Sequence, residues 1–525
     1  MNRGVLFLRA AMFAALALIL FQLRASARAA GPDITVDFGS RANLALPIPA
    51  GMFGAGFGQV TQVNSAAQTL LLQAGIAMTR FDSQLPAVFP NPPPAQPNWN
   101  PLDTLVSAAA AAGFHPLVIM DYTPAWLQPN PNPCDLVPTA PSHAPPTHDD
   151  QWAGIAAQVV QHLDAHFPGI VQDYEIWNEP DDPSFLCAPD DATRLADYLA
   201  LYAAAAKAMK QQAQTDGAQV RIGGPTLANP SGHATTWLSQ FLTNPGIAPY
   251  VDFVSYHDYM AGGGQAGTMT WDTSNPSLDS ITQNPASGVE AIYERIAALV
   301  RAGNQPLGAS TPIYVTEYNT NSGPQLDCCR NDATYGSLWN SLFVADLLSA
   351  VYAGAPQVPT HLLYFTSSKP ETGYCLYGGP DSMNSCGYSS GDAIHAYPQY
   401  YAYLLLSGAN YLNLLNGGYL ATSVSSSPTG LVVVGFFTAS ADNIFIVNPT
   451  SSQYPALTVL AQNAALPSVT GAYFLLNSAN PQITTQALPL TPSGNGYAAT
   501  IAVPAYSTAA ISIATHFAYL PLILR

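Results

Sequence analysis

Short apolar runs alternate along this chain with longer stretches whose apolar residues recur every three or four positions. The short runs are Met52–Gly58, Ala77–Asp82, Pro116–Asp121, Asp173–Glu179, Val220–Pro225, Val251–His257, Ile313–Tyr318 and Leu362–Thr366. Their length and their flanking turn residues predict strands. Between them, Ala66–Ala74, Leu102–Ala112, Trp152–His166, Thr193–Gln212, Val289–Ala302 and Ala333–Tyr352 predict helices. Regular alternation of strand and helix predicts parallel strands joined by crossover helices. Eight such strands within residues 46–408 predict an α/β fold, a (β/α)8 TIM barrel with long loops. The competing layout is an open doubly wound sheet. It would call for a G-x-G-x-x-G turn between the first strand and its helix, and none stands there in that context.

After residue 408 the helical periodicity stops. Leu431–Phe437, Ile444–Val447, Ala472–Leu476 and Ile511–Ile513 read as strands, punctuated by Asn448-Pro449 and Ser493-Gly494-Asn495. Residues 409–515 therefore predict a β-sandwich accessory domain. Ile34–Phe38 alternates like a further strand, so residues 31–45 are assigned to the same domain. The closing residues 516–525 form an apolar tail with no assigned role.

The N-terminus changes where the molecule is expected to work. Arg3 and Arg9 precede an apolar run, Ala10–Phe21, followed by Ala25-Ser26-Ala27 and Ala27-Arg28-Ala29. A basic start, a short apolar core and small-residue cleavage sites predict a signal peptide over residues 1–30, and hence secretion. The alternative is an uncleaved anchor that tethers the same domain outside the membrane. No later stretch reads as a transmembrane segment. Residues 1–30 hold four Arg and no acidic residue, so their removal takes the formal net charge from −17 to −21. Such a field disfavours nucleic acid and anionic polymers as partners and favours a neutral one. Charged residues make up only 9% of the chain, so the surface is polar rather than ion-paired.

Six cysteines remain: Cys134, Cys187, Cys328, Cys329, Cys375 and Cys386. An even count in an exported chain predicts disulfides, whose connectivity the sequence does not choose. Cys375 and Cys386 are close enough to staple one loop, and the vicinal Cys328 and Cys329 are expected to bond to separate partners. No C-x-x-C pair or His cluster predicts a metal site. Asp181-Asp182 and Asp190-Asp191 share one loop, which reads as solvated acid rather than a calcium site. No organic cofactor is implied.

The candidate chemistry lies at two strand ends. Asp173-Tyr174-Glu175-Ile176-Trp177-Asn178-Glu179-Pro180 ends the fourth strand in a carboxylate, and Pro312-Ile313-Tyr314-Val315-Thr316-Glu317-Tyr318-Asn319 ends the seventh in another. Barrel strands present their C-terminal ends to the active site. Glu179 and Glu317 are thus expected to face each other across the barrel mouth. Two facing carboxylates suit glycosidic cleavage: one protonates the leaving oxygen, and the other attacks the anomeric carbon or activates water. Glu175 shares strand parity with Glu179 and is expected inside the barrel as a structural partner of an Arg such as Arg221.

Trp177-Asn178-Glu179-Pro180 and Thr316-Glu317-Tyr318, on those strands, resemble the clan A glycoside hydrolases, and family 39 most of all. The resemblance extends to Arg80-Phe81-Asp82, Tyr122-Thr123-Pro124-Ala125-Trp126, Gly223-Gly224-Pro225 and Ser255-Tyr256-His257-Asp258-Tyr259. It includes the helix carrying Tyr198, Tyr202 and Lys207, and it spans roughly residues 33–515. It implies a retaining glycosidase with Glu179 as general acid/base and Glu317 as nucleophile, acting on a β-xyloside or related plant-type sugar. It further implies that Asn178 holds the sugar 2-hydroxyl, that His257 and Tyr259 line the site, and that Arg80 keeps Glu317 ionised. Trp126 is read as a stacking platform and Trp177 as packing. One departure stands out: the eighth strand, His361–Ser368, carries no Trp to floor the sugar, which leaves Phe365 or Tyr374 for that place. A catalytically inactive carbohydrate-binding barrel and a transglycosylase are the alternatives.

Overall fold

A computed structural model describes residues 31–514, apart from 40–45, 57–62, 137–138, 262–268, 271–281, 284–287, 303–310, 322–332, 367–374, 379–392, 427, 465–469 and 478–479. The leader, the apolar tail, Tyr374, Cys328, Cys329 and Cys386 lie outside the described residues. Among the described residues no helix is long and apolar enough to cross a membrane.

Eight parallel strands close into a barrel in sequence order: Phe53–Gly56, Met78–Asp82, His115–Met120, Asp173–Ile176, Arg221–Leu227, Phe253–Ala261, Ile313–Asn321 and His361–Phe365. The (β/α)8 expectation holds, and most strand bounds fall within a few residues of the sequence reading. Helices Ser65–Gln73, Asn100–Ala111, Asp149–His166, Asp191–Asp216, Val289–Ala302 and Ala333–Ala353 alternate with the strands. Asn64 and Asp190 start two of them by accepting backbone N–H bonds from their first turns. Besides short turns such as Leu85–Val88, two longer helical passages escaped the sequence reading. They are Pro230–Thr243, broken by a π segment, and Pro398–Ser407 after the eighth strand.

The barrel interior is layered. Met78, Leu117, Phe253, Tyr314 and Leu363, each from a different strand, form an apolar plug near the N-terminal ends. The Phe253 and Tyr314 rings stack at 4.0 Å. Phe253 occupies the space that Gly223 leaves free: a Cβ there would lie 2.2 Å from the ring. Arg80 and Glu175 lie above this plug, each two residues along its strand from the plug level. The next step along the strands reaches the mouth.

A one-residue irregularity decides which way the seventh strand points. Val315 pairs with Tyr256, yet Glu317 pairs with His257, so one extra residue is inserted between them. Strict alternation from the inward Tyr314 would send Thr316 inward and Glu317 outward. The bulge turns Glu317 into the barrel and Tyr318 out, against Phe343, Tyr364 and Tyr403.

The C-terminal region forms two sheets. One runs in the order Ser423–Ser426, Ile34–Asp37, Tyr454–Gln462, Gly496–Val503, Thr491–Ser493. The other runs Tyr419–Leu420, Val432–Phe437, Ala441–Asn448, Ser507–Ala514, Thr470–Asn477, Asn480–Pro489. Ile34–Asp37 pairs with Ser423–Ser426 and with Tyr454–Gln462, so the N-terminal segment is part of this sandwich. The six-stranded sheet packs one face, through Val434, Phe436, Phe445 and Phe474, into the barrel's hydrophobic core. Its other face, through Ile444, Ile446, Tyr473 and Ile511, meets the five-stranded sheet.

Candidate active site

Arg80 rises from the second strand and is 5% exposed. All three nitrogens of its guanidinium are used. Nε donates to Glu175 Oε2 at 2.6 Å, Nη1 to Glu317 Oε1 at 2.6 Å and Nη2 to Asn178 Oδ1 at 2.9 Å. This corrects the sequence pairing of Glu175 with Arg221. Arg221 instead grips Asp173 near the N-terminal end of the barrel, at 2.6 and 2.5 Å. The reason is depth. Arg221 opens its strand at the outer end, whereas Glu175 and Arg80 both sit two residues further in.

The sixth strand supplies the other side. Tyr259 donates its hydroxyl to Glu317 Oε2 at 2.6 Å, and His257 Nδ1 lies 2.6 Å from Glu179 Oε1 and 3.6 Å from Glu317 Oε2. Oxygens of Glu179 and Glu317 and a nitrogen of His257 all stand within 4.8 Å of one another. Arg80, Asn178, Tyr259 and Glu317 form one hydrogen-bonded set and Glu179 with His257 another, and the two meet at the C-terminal end of the barrel through the His257–Glu317 contact.

Backbone conformation aims Glu179. Trp177 and Glu179 both lie in the left-handed region, with φ of 71° and 47°. Neither is glycine, so the surroundings must hold this costly conformation. They do so through Trp177 N–H on Met120 O, the indole N–H on Phe185 O, and the Thr226 hydroxyl on Trp177 O. Trp177 is fully buried between Tyr122 and Trp152, which agrees with its reading as packing.

The two carboxyls experience different fields. Burial pushes Glu179 above the usual carboxylate range, and the nearby Glu317 charge adds to this, against a bond from His257. Burial also works on Glu317, but His257, Arg80 and the Tyr259 hydroxyl outweigh it and hold that carboxyl below the usual range. Burial opposes the charged form of His257, yet the two glutamates raise it above an ordinary imidazole. Their surroundings push the two carboxyls in opposite directions, so Glu179 holds a proton more readily than Glu317 does. Glu179, His257 and Glu317 also offer three donor atoms of the kind that bind metals. The Arg80 cation bonded to Glu317 works against a second cation there.

Trp126 is half-buried; its indole N–H donates to Phe89 O at 2.9 Å, and no described contact links it to the two glutamates. Phe365 ends the eighth strand with its ring 6.3 Å from that of Tyr259, edge to face. It thus stands beside the site from the strand that lacks the expected Trp. Sequence reasoning placed Tyr122 in a family-like motif but gave it no role of its own; its ring packs edge-on against Trp177 at 5.2 Å, one residue before Asn178. Its signal was present, since it directly follows the third strand.

The long loops are knitted to each other. The loop after the third strand carries His143, which packs on Tyr122 at 4.2 Å and bonds Ser184 O at 2.6 Å. Cys134 and Cys187 meet in disulfide geometry between the third-strand and fourth-strand loops, and Cys375 is bonded through its sulfur as well. The acidic loop is solvated as expected at Asp182, Asp190 and Asp191, and departs from that reading only at Asp181. Asp181 is buried and accepts from Ala228 N, Asn229 N and His233 Nδ1 at 2.8, 3.0 and 2.9 Å. Asp190 caps a helix and Asp191 pairs with Arg194.

A closed (β/α)8 barrel with two unlike carboxyls at its mouth is the architecture of a retaining glycoside hydrolase, and this chain is one. The family model for glycosyl hydrolases family 39 matches residues 137–350, a stretch that contains both glutamates, so the family resemblance read from the motifs holds. The fold is shared with a monomeric β-xylosidase from Caulobacter crescentus CB15, at 17% identity and a TM-score of 0.61, over 92% of this chain and 99% of that one. A family 39 enzyme from Xanthomonas axonopodis pv. citri gives 17% and 0.61 over 94% and 100%. The catalytic domain of a family 30 xylanase C from Talaromyces cellulolyticus gives 14% and 0.58 over 92% and 100%. No curated protein matches the chain in sequence.

Proposed function

We propose that this chain hydrolyses a neutral β-glycoside, with β-xylosides as the preferred class, and that Glu179 is the general acid/base and Glu317 the nucleophile. One observation carries this reading: oxygens of the two carboxyls lie within 4.8 Å of each other. Retaining pairs stand about 5–5.5 Å apart and attack the sugar directly, whereas inverting pairs leave about 6.5–9.5 Å for a water.

In the first step a Glu317 oxygen bonds to the anomeric carbon as the bond to the leaving oxygen breaks. The Glu179 proton goes to that leaving oxygen. In the second step Glu179, now a base, takes a proton from water, whose oxygen displaces Glu317. Asn178, fixed by Arg80 Nη2, keeps its amide N–H available for the sugar 2-hydroxyl. That contact strengthens in the transition state. Trp126 serves as an outer platform beyond this cluster.

The β-xyloside preference rests on the family match and on the named activities of the proteins that share the fold. The net negative charge of the chain favours a neutral sugar over a uronate. The basic and apolar leader and the Cys134–Cys187 pairing support export, where such a bond forms. The test is a panel of aryl glycosides with Glu317→Gly as the control. Turnover of the β-xyloside, lost in that variant, supports the assignment. Turnover that survives Glu317→Gly overturns it.

A further inference from the structure

Glu175 lies beneath the site, 0% exposed, and touches neither Glu179 nor Glu317 in any described hydrogen bond. Its Oε2 accepts from Arg80 Nε, and its Oε1 has no donor among the described residues. Arg80 is thus a buried cation flanked by Glu175 below and Glu317 above, each at 2.6 Å. The double displacement changes only one of those flanks. When Glu317 forms its ester with the anomeric carbon, its negative charge is consumed. A buried cation left without an anion is costly, and more so than the original pair was favourable.

We propose that Glu175 is the permanent counter-ion of Arg80, a positioning residue that keeps this guanidinium neutralised and oriented while Glu317 is esterified. The inference rests on the reading of Glu317 as nucleophile. Orientation follows from the donor geometry: anchoring Nε to Glu175 leaves Nη1 and Nη2 for Glu317 and Asn178. Charge follows from the surroundings. Arg80 feels Glu175, Glu317 and Asp82, and beyond them Asp121. Glu317 feels Arg80 from the second strand, His257 and Tyr259 from the sixth, and Glu179 from the fourth-strand loop. Among all of these, only Glu175 is a buried carboxylate bonded to Arg80 yet outside reach of the sugar.

Glu175→Gln keeps the shape and an acceptor oxygen and removes the charge. Arg80 then acts undivided on Glu317, which becomes easier to ionise and harder to esterify. The expected result is twofold. The acidic limb of kcat/KM moves to lower pH. Formation of the covalent adduct with a dinitrophenyl 2-deoxy-2-fluoro-β-xyloside slows by about tenfold or more, while KM for the aryl xyloside moves less. A purely structural role would lower melting temperature and leave the acidic limb and the rate per active enzyme where they are, and that result overturns the proposal.

If Glu175→Gln does not accumulate, Arg80→Gln is compared with the Arg80→Gln/Glu175→Gln double variant. The single variant leaves a bare anion under Glu317 and raises the acidic limb. The double variant brings it back down if Glu175 acts electrostatically, and leaves it unmoved if it does not. Mass analysis of the labelled peptide separates the two layers. An adduct on a residue other than Glu317 ends the nucleophile assignment, whereas an adduct on Glu317 with an unmoved limb ends only the Glu175 proposal.

Discussion

His257 Nδ1 stands 2.6 Å from Glu179 Oε1 and also reaches towards Glu317, so one imidazole serves both carboxyls. Its charge lowers Glu317 and its bond restrains the upward shift of Glu179. His257→Gln keeps some hydrogen bonding and removes the charge. Both carboxyls then lose a stabiliser of their ionised form, so both limbs of the kcat/KM profile move to higher pH. Initial rates on an aryl β-xyloside across pH 3 to 9 (roughly the range over which carboxyls and imidazoles titrate) measure this. A shift of the limbs in opposite directions contradicts it.

The two glutamates are expected to fail in different ways. Glu317→Gly should lose turnover by several orders of magnitude, about 10⁴-fold or more, and recover part of it with azide as external nucleophile. Glu179→Ala should spare substrates with good leaving groups, such as dinitrophenyl glycosides, far more than alkyl glycosides, because only the latter need protonation. Equal losses on both substrate classes speak against the acid role.

Arg80→Lys tests the guanidinium geometry. A lysine ammonium carries the charge but cannot span Glu175, Glu317 and Asn178 in one plane. A fall in kcat/KM of about 10²-fold is expected, with the acidic limb shifted up. Arg80→Met goes further and leaves Glu175 and Glu317 without their cation. Breaking a buried pair in this way costs about 3–5 kcal/mol, visible as a lower urea midpoint. An unchanged midpoint would show that the pair is not the buried contact described above.

Gly223→Ala probes the plug under the site. The added methyl would meet the Phe253 ring at 2.2 Å, and the ring is itself stacked on Tyr314. Overpacking of this kind costs about 1–3 kcal/mol. The free energy of unfolding should fall by that amount, read from a urea titration, and activity should fall with it if the plug shifts the layer of Arg80 and Glu175 above.

What the sequence made legible follows burial. The strands of the barrel and the inner strands of the six-stranded sheet are largely buried on both faces, so they stand out as apolar runs: every residue of Ala441–Asn448 is buried, whereas the edge strand Asn480–Pro489 is mostly exposed. The strands Ser423–Ser426, Tyr454–Gln462 and Gly496–Val503 face solvent on one side and carry Ser, Thr, Gln and Ala there, so no run marks them. Glu179 and Glu317 were legible because they end apolar strands. The bulge that turns Glu317 inward was not, since Thr316 resembles any other strand residue and only the pairing with His257 reveals the shift. The Glu175 partner was misjudged because sequence counts residues, whereas pairing inside a barrel depends on depth along each strand. Of the two aromatics foreseen in place of the absent Trp, Tyr374 lies outside the described residues and Phe365 stands beside Tyr259.

Double displacement requires Glu317 to attack the sugar without an intervening water. Proton NMR of the first sugar released from an aryl β-xyloside, recorded before mutarotation, tests this most directly. Double displacement predicts that the β-anomer forms first and the α-anomer grows in afterwards. An α-anomer as the first product would mean a single inversion, and Glu317 would no longer be the nucleophile.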